Sequence, residues 1–508
     1  MAFRIYPLLS LQQTALVKSA VTVCNDPEVK DFVKENGIMS VVFPSKETLL
    51  FLREAEKEIE RTYIRKEVVM NGVIMSEIKK LSRPDKERVF ESEVISDVLP
   101  FRRWEELIER KLSTFSLPVC LHRDLFEMIR IVSIEIDKWI KDLSLLLDRS
   151  AEIAHTALHY FQWNSHGKIN RIETARELIR NEGSIREDLY KLAVQYDLVD
   201  DMIVDEIGKI ECRKFVEKYQ FEFKATSSGQ RWKVAAGERS LQCTPIRVGF
   251  MKANSEEKLD YMIVGLMDDS LSYGELLEYL AIMSSDDINK CFEKLPLNII
   301  YLFLDWPLQI MFIDAVKLLL PYFNSYFFTR ILETIVLERI MLGRKDFNYI
   351  RLLKEFWSIS PSELKEALIT QPINNLVLFT LNYLNEDTFL NEELFEFYSR
   401  KNLSFRYKGI NYCLFKRDFL HTSKIANKFY RDHHLAPESS PYKQLFQTRS
   451  EKSNLNYYVF DPNNRCMSNP NSVFYYIPRY SHFSFFFAVH EKRDESMDYN
   501  DEGYDGME

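Results

Sequence analysis

Fourteen glycines in a chain of 508 residues leave few places where the backbone can turn tightly. Two-residue hairpins and many β-turns rely on glycine for the left-handed conformation. A chain this poor in glycine is expected to be helical. Apolar residues at 46% and charged residues at 28% supply enough material for a large core and exclude wholesale disorder. At about 100–200 residues per domain, the length corresponds to roughly three or four structural units.

The charge is unevenly spread. Net charge is −9, and residues 491–508 carry eight acids against two bases, which leaves the body close to neutral. A neutral body has no general attraction for phosphate backbones, so nucleic acid is not expected as a partner. Seven cysteines, Cys24, Cys120, Cys212, Cys243, Cys291, Cys413 and Cys466, are scattered without CxxC spacing. They read as reduced thiols of a cytoplasmic protein rather than a disulfide framework or zinc site.

No membrane segment is expected. Ile5–Leu11 is interrupted by Pro7 and Ser10 and has no basic stretch before it, so it does not read as a signal peptide. The most apolar span, 295–323, contains Asp305, Asp314 and Lys317 with three prolines. Each central charge costs about 2.5–3.5 kcal/mol on insertion, so buried core helices are the better reading.

Along the chain the apolar spacing is helical. Asp26-Pro27 starts a helix that Gly37 ends. Ser45 reads as a single cap, followed by a solvated charged run over 53–61. Trp104, Leu107, Ile108 and Leu112 share one helical face, and Leu125, Met128, Ile129, Val132, Ile136 and Ile140 share the next. The spacing divides the chain into an N-terminal helical region at 1–148, a repeat region at 149–225, a linker or insertion at 226–258 and a second helical-repeat region at 259–400. Residues 401–508 read as an irregular, disordered, acid-ended tail. Its aromatic run over 474–489 would be an aggregation hazard if exposed.

The most specific pattern begins with Thr156-Ala157-Leu158-His159-Tyr160. It continues through Trp163-Asn164-Ser165-His166-Gly167, then Ile172-Glu173-Thr174-Ala175-Arg176-Glu177-Leu178-Ile179, and ends at Asn181-Glu182-Gly183. A second unit follows over 189–198, and Leu158 to Leu189 spans 31 residues. This pattern resembles the ankyrin repeat, in which a T-P-L-H element opens the first of two short antiparallel helices. Ala157 departs from the usual proline and Asp197 from the usual glycine. Segments at 314–320 and 349–353 resemble the second helix, with Ala315 and Ile350 separated by 35 residues.

The resemblance implies an all-α, ankyrin-like α-solenoid. In it Thr156 and His159 close the turn before the first helix, and Leu158, Leu189 and Ala193 pack the helices. Ala175 and Leu178 face the neighbouring repeat, and Gly183 ends a helix in the left-handed conformation. It implies a non-catalytic scaffold that binds protein partners on its concave face, with no cofactor.

One enzyme-like feature competes. Asp200, Asp201 and Asp205 have the look of the aspartate-rich motif of all-helical isoprenoid synthases, where such carboxylates hold Mg²⁺ against a diphosphate. Asp268-Asp269 with Glu275 is the nearest second motif, one residue short of the expected spacing. A solvated acidic helix face is the plainer reading. His155, His159 and His166 lie close in sequence but lack HExxH spacing. There is no P-loop, GxSxG, HRD with DFG or GxGxxG. A decayed paralogue without retained function is the third reading, motivated by the degenerate repeats.

Overall fold

The structure is a computed structural model. It describes residues 7–53, 63–70, 73–80, 100–115, 117–143, 147, 150–181, 186–196, 198, 235–236, 239–240, 254–267, 269, 271–383, 389–398, 402–415, 455–460, 473–476 and 486–491. It is mostly helical, with nineteen α-helices among the described residues. The first four are α1 (Leu11–Cys24), α2 (Pro27–Asn36), α3 (Met39–Val42) and α4 (Ser45–Arg53). Strands β1 (Tyr63–Met70) and β2 (Val73–Lys80) follow, then α5 (Pro100–Leu112), α6 (Val119–Leu143), α7 (Ser150–Thr156), α8 (Arg171–Arg180) and α9 (Arg186–Gln195).

The second half runs through α10 (Ser255–Met267), α11 (Tyr273–Ile282), α12 (Ser285–Lys294), α13 (Pro296–Leu302), α14 (Phe312–Leu319) and α15 (Ser325–Ile335). It continues with α16 (Tyr349–Ile359), α17 (Ser362–Leu368), α18 (Asn374–Asn382) and α19 (Glu393–Glu396). The caps follow from the sequence. Asp26 accepts from Glu28 N ahead of Pro27, and Ser272 and Glu275 form a reciprocal capping box at the start of α11. Ser45 is not a cap. It is the first residue of α4, and its amide and hydroxyl both donate to Glu105.

Helix α6 is the hub. Its Leu125, Met128, Ile129 and Val132 join a core with Leu16, Val17 and Ala20 of α1 and Trp104 and Ile108 of α5. Its Trp139 and Leu143 join a second core with Leu158, Ala175, Leu178, Leu189 and Ala193. Its Ile134 belongs to the largest core, which runs from Leu259 to Leu414 and includes Met39, Val42, Phe43, Phe51 and Phe101. The boundaries read from sequence at 148/149 and 400/401 therefore do not separate independent units. Residues on both sides of each one share a core, through packing partners more than 200 residues apart that spacing alone does not reveal.

The tail reading is corrected too. After the short strands β3 (Ala235–Ala236) and β4 (Arg239–Ser240), strands β5 (Asn402–Tyr407) and β6 (Ile410–Phe415) form a hairpin whose Leu403, Phe405, Tyr407, Ile410, Tyr412 and Leu414 are buried in the largest core. Burial alternates along β5 with the period of two that a strand requires. Lys408 and Gly409, with φ of 44° and 77°, make the two-residue turn with both residues left-handed. β6 also pairs antiparallel with β1, giving a sheet ordered β2-β1-β6-β5. Strands Leu455–Phe460, Val473–Tyr476 and Phe486–Glu491 form a further three-stranded sheet, and Ala235–Ala236 pairs with Arg239–Ser240 inside the segment read as a linker. The apolar span 295–323 is broken into short helices, and no helix among the described residues is long and apolar enough to cross a membrane.

Candidate functional site

Apolar and charged residues are both buried on α6. Glu127, Arg130, Glu135, Asp137, Lys138 and Lys141 are all buried. A buried charge is tolerated only when paired and hydrogen-bonded, so each needs a partner from elsewhere. Arg130 donates to the carbonyl of Val41 in α3 and, at 3.1 Å, to Glu105. Asp137 accepts from the Tyr412 hydroxyl at 2.5 Å. Glu135 accepts from Lys168 at 3.0 Å, and Lys168 also bonds the Tyr407 hydroxyl. Lys138 donates to Asp142 at 2.9 Å and to the carbonyl of Asp269 at 2.9 Å.

These pairings shift the groups. Burial alone would raise Asp142, but Lys138, Arg171 and Lys141 hold it well below the ordinary range. Burial pushes Lys138 down to about 8, against the pull of Asp142.

Opposite α6 the helix that begins as α15 widens into a π turn over Val336–Ile340. Its bonds reach five residues back, from Met341 N to Val336 O at 2.8 Å and from Arg344 N to Arg339 O at 3.0 Å. Such turns concentrate at functional sites. Arg339 donates to Asp305 at 3.0 Å and to the carbonyl of Arg406 at 2.8 Å. Glu338 accepts from the Arg406 amide at 2.8 Å, and the Arg406 guanidinium pairs with Asp269 at 2.7 Å. Arg344 donates to the carbonyl of Val42 and lies 3.6 Å from the centre of the Phe405 ring. Burial and the charge of Arg130 push Arg344 down to about 9. Burial and the nearby Glu127 push Asp346 up to about 6.

Two small cavities lie in this cluster, one of about 10 Å³ beside Asp269, Asp305 and Arg406, the other of about 20 Å³ beside Arg130, Arg344 and Asp346, each measured as the space open to the centre of a water. About 10–15 Å³ suffices for one water. Neither takes an organic substrate, so the charges bond the elements together.

The repeat residues are only partly where the resemblance puts them. Thr156 ends α7 instead of opening a helix, and its hydroxyl donates back to Glu152 O at 2.9 Å. Leu158–Tyr160 is a single 3₁₀ turn. His159 lies exposed with its ring 3.9 Å from that of Tyr160, so it does not close a turn before a helix. The break at Asn164–Gly167 is a tight loop between the bridged residues Trp163 and Ile169, and α8 takes its own cap from Asn170. The helix reading failed at Thr156 because α7 runs into the motif from before it. Leu158, Ala175, Leu178, Leu189 and Ala193 do meet in one buried cluster. Gly183 lies outside the described residues.

Asp200, Asp201 and Asp205 also lie outside them. Of the second acidic motif, Asp269 is buried against Arg406 and Glu275 is engaged in the cap of Ser272. Among the described residues no three His, Cys, Asp or Glu side chains gather as a metal-binding group. His155 is half-buried, held below its usual range by burial and by Lys34 and Lys30. His166 bonds the carbonyl of Pro7 at 2.9 Å.

Sequence reasoning missed Arg130, Arg339, Arg344, Asp346 and Arg406. The one signal present was Asp305, a charge inside the most apolar span, which needed a buried partner. No family model, curated protein or solved structure matches the chain.

Proposed function

We propose that the chain is a non-catalytic scaffold that holds other proteins on a degenerate, ankyrin-like array of helix pairs. The observation that carries this reading is a recurring burial pattern in the second half. Phe312, Ala315, Val316 and Leu319 are buried on α14, and Tyr349, Leu352, Leu353 and Phe356 are buried on α16. Each residue of the second set stands 37 positions after its counterpart. This register is two residues longer than the one read from Ala315 and Ile350, because it is Leu352 that takes the place of Ala315. Cys291 and Phe292 on α12 are matched by Ile331 and Leu332 on α15, 40 positions on. The helices pack in the order such an array needs, with α14 on α16, α16 on α18 and α15 on α17. Stacked helix pairs bury a continuous core and leave an extended face for partners.

Apolar side chains remain exposed along this array, including Ile282, Leu318, Ile369 and Leu378. Most of the buried charges, by contrast, join elements to one another. Free thiols at Cys24, Cys120, Cys291 and Cys413 suit a reducing compartment such as the cytoplasm. The test is affinity capture with the full chain, comparing wild type with Ile369→Glu and Leu378→Glu. The reading expects a reproducible protein set that is lost in the variants while the circular dichroism spectrum is unchanged. Identical capture by wild type and both variants, or none by either, overturns it.

A further inference from the structure

The larger cavity has a chemistry its own walls leave unfinished. Three guanidinium groups line it, Arg130, Arg339 and Arg344, facing three carboxyl groups, Glu127, Asp305 and Asp346. Tyr349 and Tyr407 also line it. Arg339 is neutralised by Asp305 at 3.0 Å, and Arg130 by Glu105 at 3.1 Å with Glu127 at 3.8 Å. Arg344 has no carboxylate within ion-pair distance among the described residues. Asp346 is held by neutral donors, the Gln309 amide at 2.9 Å and the Tyr349 hydroxyl at 3.0 Å. The Nε atoms of Arg130 and Arg344 are both buried and without a hydrogen-bond partner. An unmade bond on a buried charged donor is costly, so something must accept from them.

Water would supply an acceptor but no charge. We propose that the cavity binds a small monovalent anion of the chloride class, held by the Nε–H groups of Arg130 and Arg344. The anion supplies the missing acceptor and a counter-charge within ion-pair distance of Arg344. About 20 Å³ of space for a water centre accommodates one such ion and excludes sulfate or an organic acid. Protonation of Asp346 removes one negative charge from the cavity wall, so binding tightens as the pH falls. As Asp346 ionises above about 6 the apparent affinity falls.

The test is thermal unfolding of the full chain at constant ionic strength, with gluconate exchanged for chloride, bromide or sulfate. The expected result is a saturable rise in Tm with chloride and bromide alone, greater at pH 6 than at pH 7.5. Arg344→Gln abolishes the rise, and Asp346→Asn makes it independent of pH. Should Arg344→Gln fail to fold, wild-type crystals soaked in bromide decide, through an anomalous peak in the cavity. No anion-specific rise in Tm together with no bromide in the cavity means that it holds water, and the proposal fails.

Discussion

Arg339 and Asp305 form a buried ion pair of 3.0 Å that joins three parts of the chain. Arg339 comes from the π turn, Asp305 from the segment after α13, and the same guanidinium bonds the carbonyl of Arg406 in the hairpin. Arg339→Met leaves Asp305 buried without its partner. Breaking such a pair costs about 3–5 kcal/mol, whereas replacing both members with apolar residues is often near neutral. Urea unfolding of Arg339→Met, Asp305→Leu and the double variant checks this. The expected order is two large losses, with the double variant more stable than either single one.

Gly409 sits in the hairpin turn with φ of 77°, and a Cβ there would stand 2.3 Å from the Cβ of Asp269. Gly409→Ala therefore combines left-handed strain of about 1–2 kcal/mol with a contact that must displace Asp269. Asp269 is the partner of Arg406. A loss of more than about 2 kcal/mol in urea unfolding is expected, since disruption of a buried pair adds to the strain. A change below about 0.5 kcal/mol, the size of an ordinary surface substitution, would show that the turn is not held against Asp269.

Local features of the fold were legible, and long-range ones were not. Asp26-Pro27 and Gly37 gave the limits of α2, because caps act within a few residues. Trp104, Leu107, Ile108 and Leu112 are buried together on α5, as their spacing requires. The glycine count misled about strands. A two-residue hairpin needs a single glycine, and Gly72, Gly237 and Gly409 each stand between paired strand ends. Asn71-Gly72 between Val68-Val69-Met70 and Val73-Ile74-Met75 is the strongest hairpin signal in the chain. The charged cluster was beyond reach for a different reason. The partners of Arg130, Asp137 and Arg344 lie 89, 275 and 302 residues away, and a π turn has no sequence period to detect.

The fragment 150–400 keeps the helix pairs but loses what covers them. Phe43, Phe51, Phe101 and Ile134 before it, and Leu403, Phe405 and Tyr412 after it, belong to the same core. Full burial of one such side chain is worth about 1.5–3 kcal/mol, so losing all seven exceeds the stability of an ordinary domain. The fragment is expected to aggregate or to bind an apolar dye, whereas a chain covering 7–415 elutes as a folded species. Size-exclusion chromatography with circular dichroism distinguishes the two. A soluble, cooperatively melting 150–400 fragment would mean that the cores are separable.

Asp346 gives the protein a pH dependence opposite to that of an ordinary paired carboxylate. Burial and Glu127 raise it from 3.8 to about 6 in the folded chain. Below 3.8 both states hold the proton, and the group contributes nothing. As the pH rises from there to about 6, the unfolded chain releases its proton while the folded chain keeps it, so stability falls across this window. Above it the whole penalty remains, about 1–3 kcal/mol once the half-buried position of the residue is allowed for. Asp142 acts in the reverse sense, stabilising above its ordinary value and losing that contribution in acid. Lys138, near 8, penalises the folded state in full below that pH and is relieved as the pH rises from there to 10.5. The difference between Asp346→Asn and wild type at pH 5.0 and 7.5 isolates Asp346, because His155 and the other groups are common to both chains. Asp346→Asn is expected to gain stability over wild type at both pH values, with about half the gain at pH 5.0 that it has at pH 7.5, read from urea unfolding at both. Equal gains at the two pH values would show that the carboxyl is not held protonated by its surroundings.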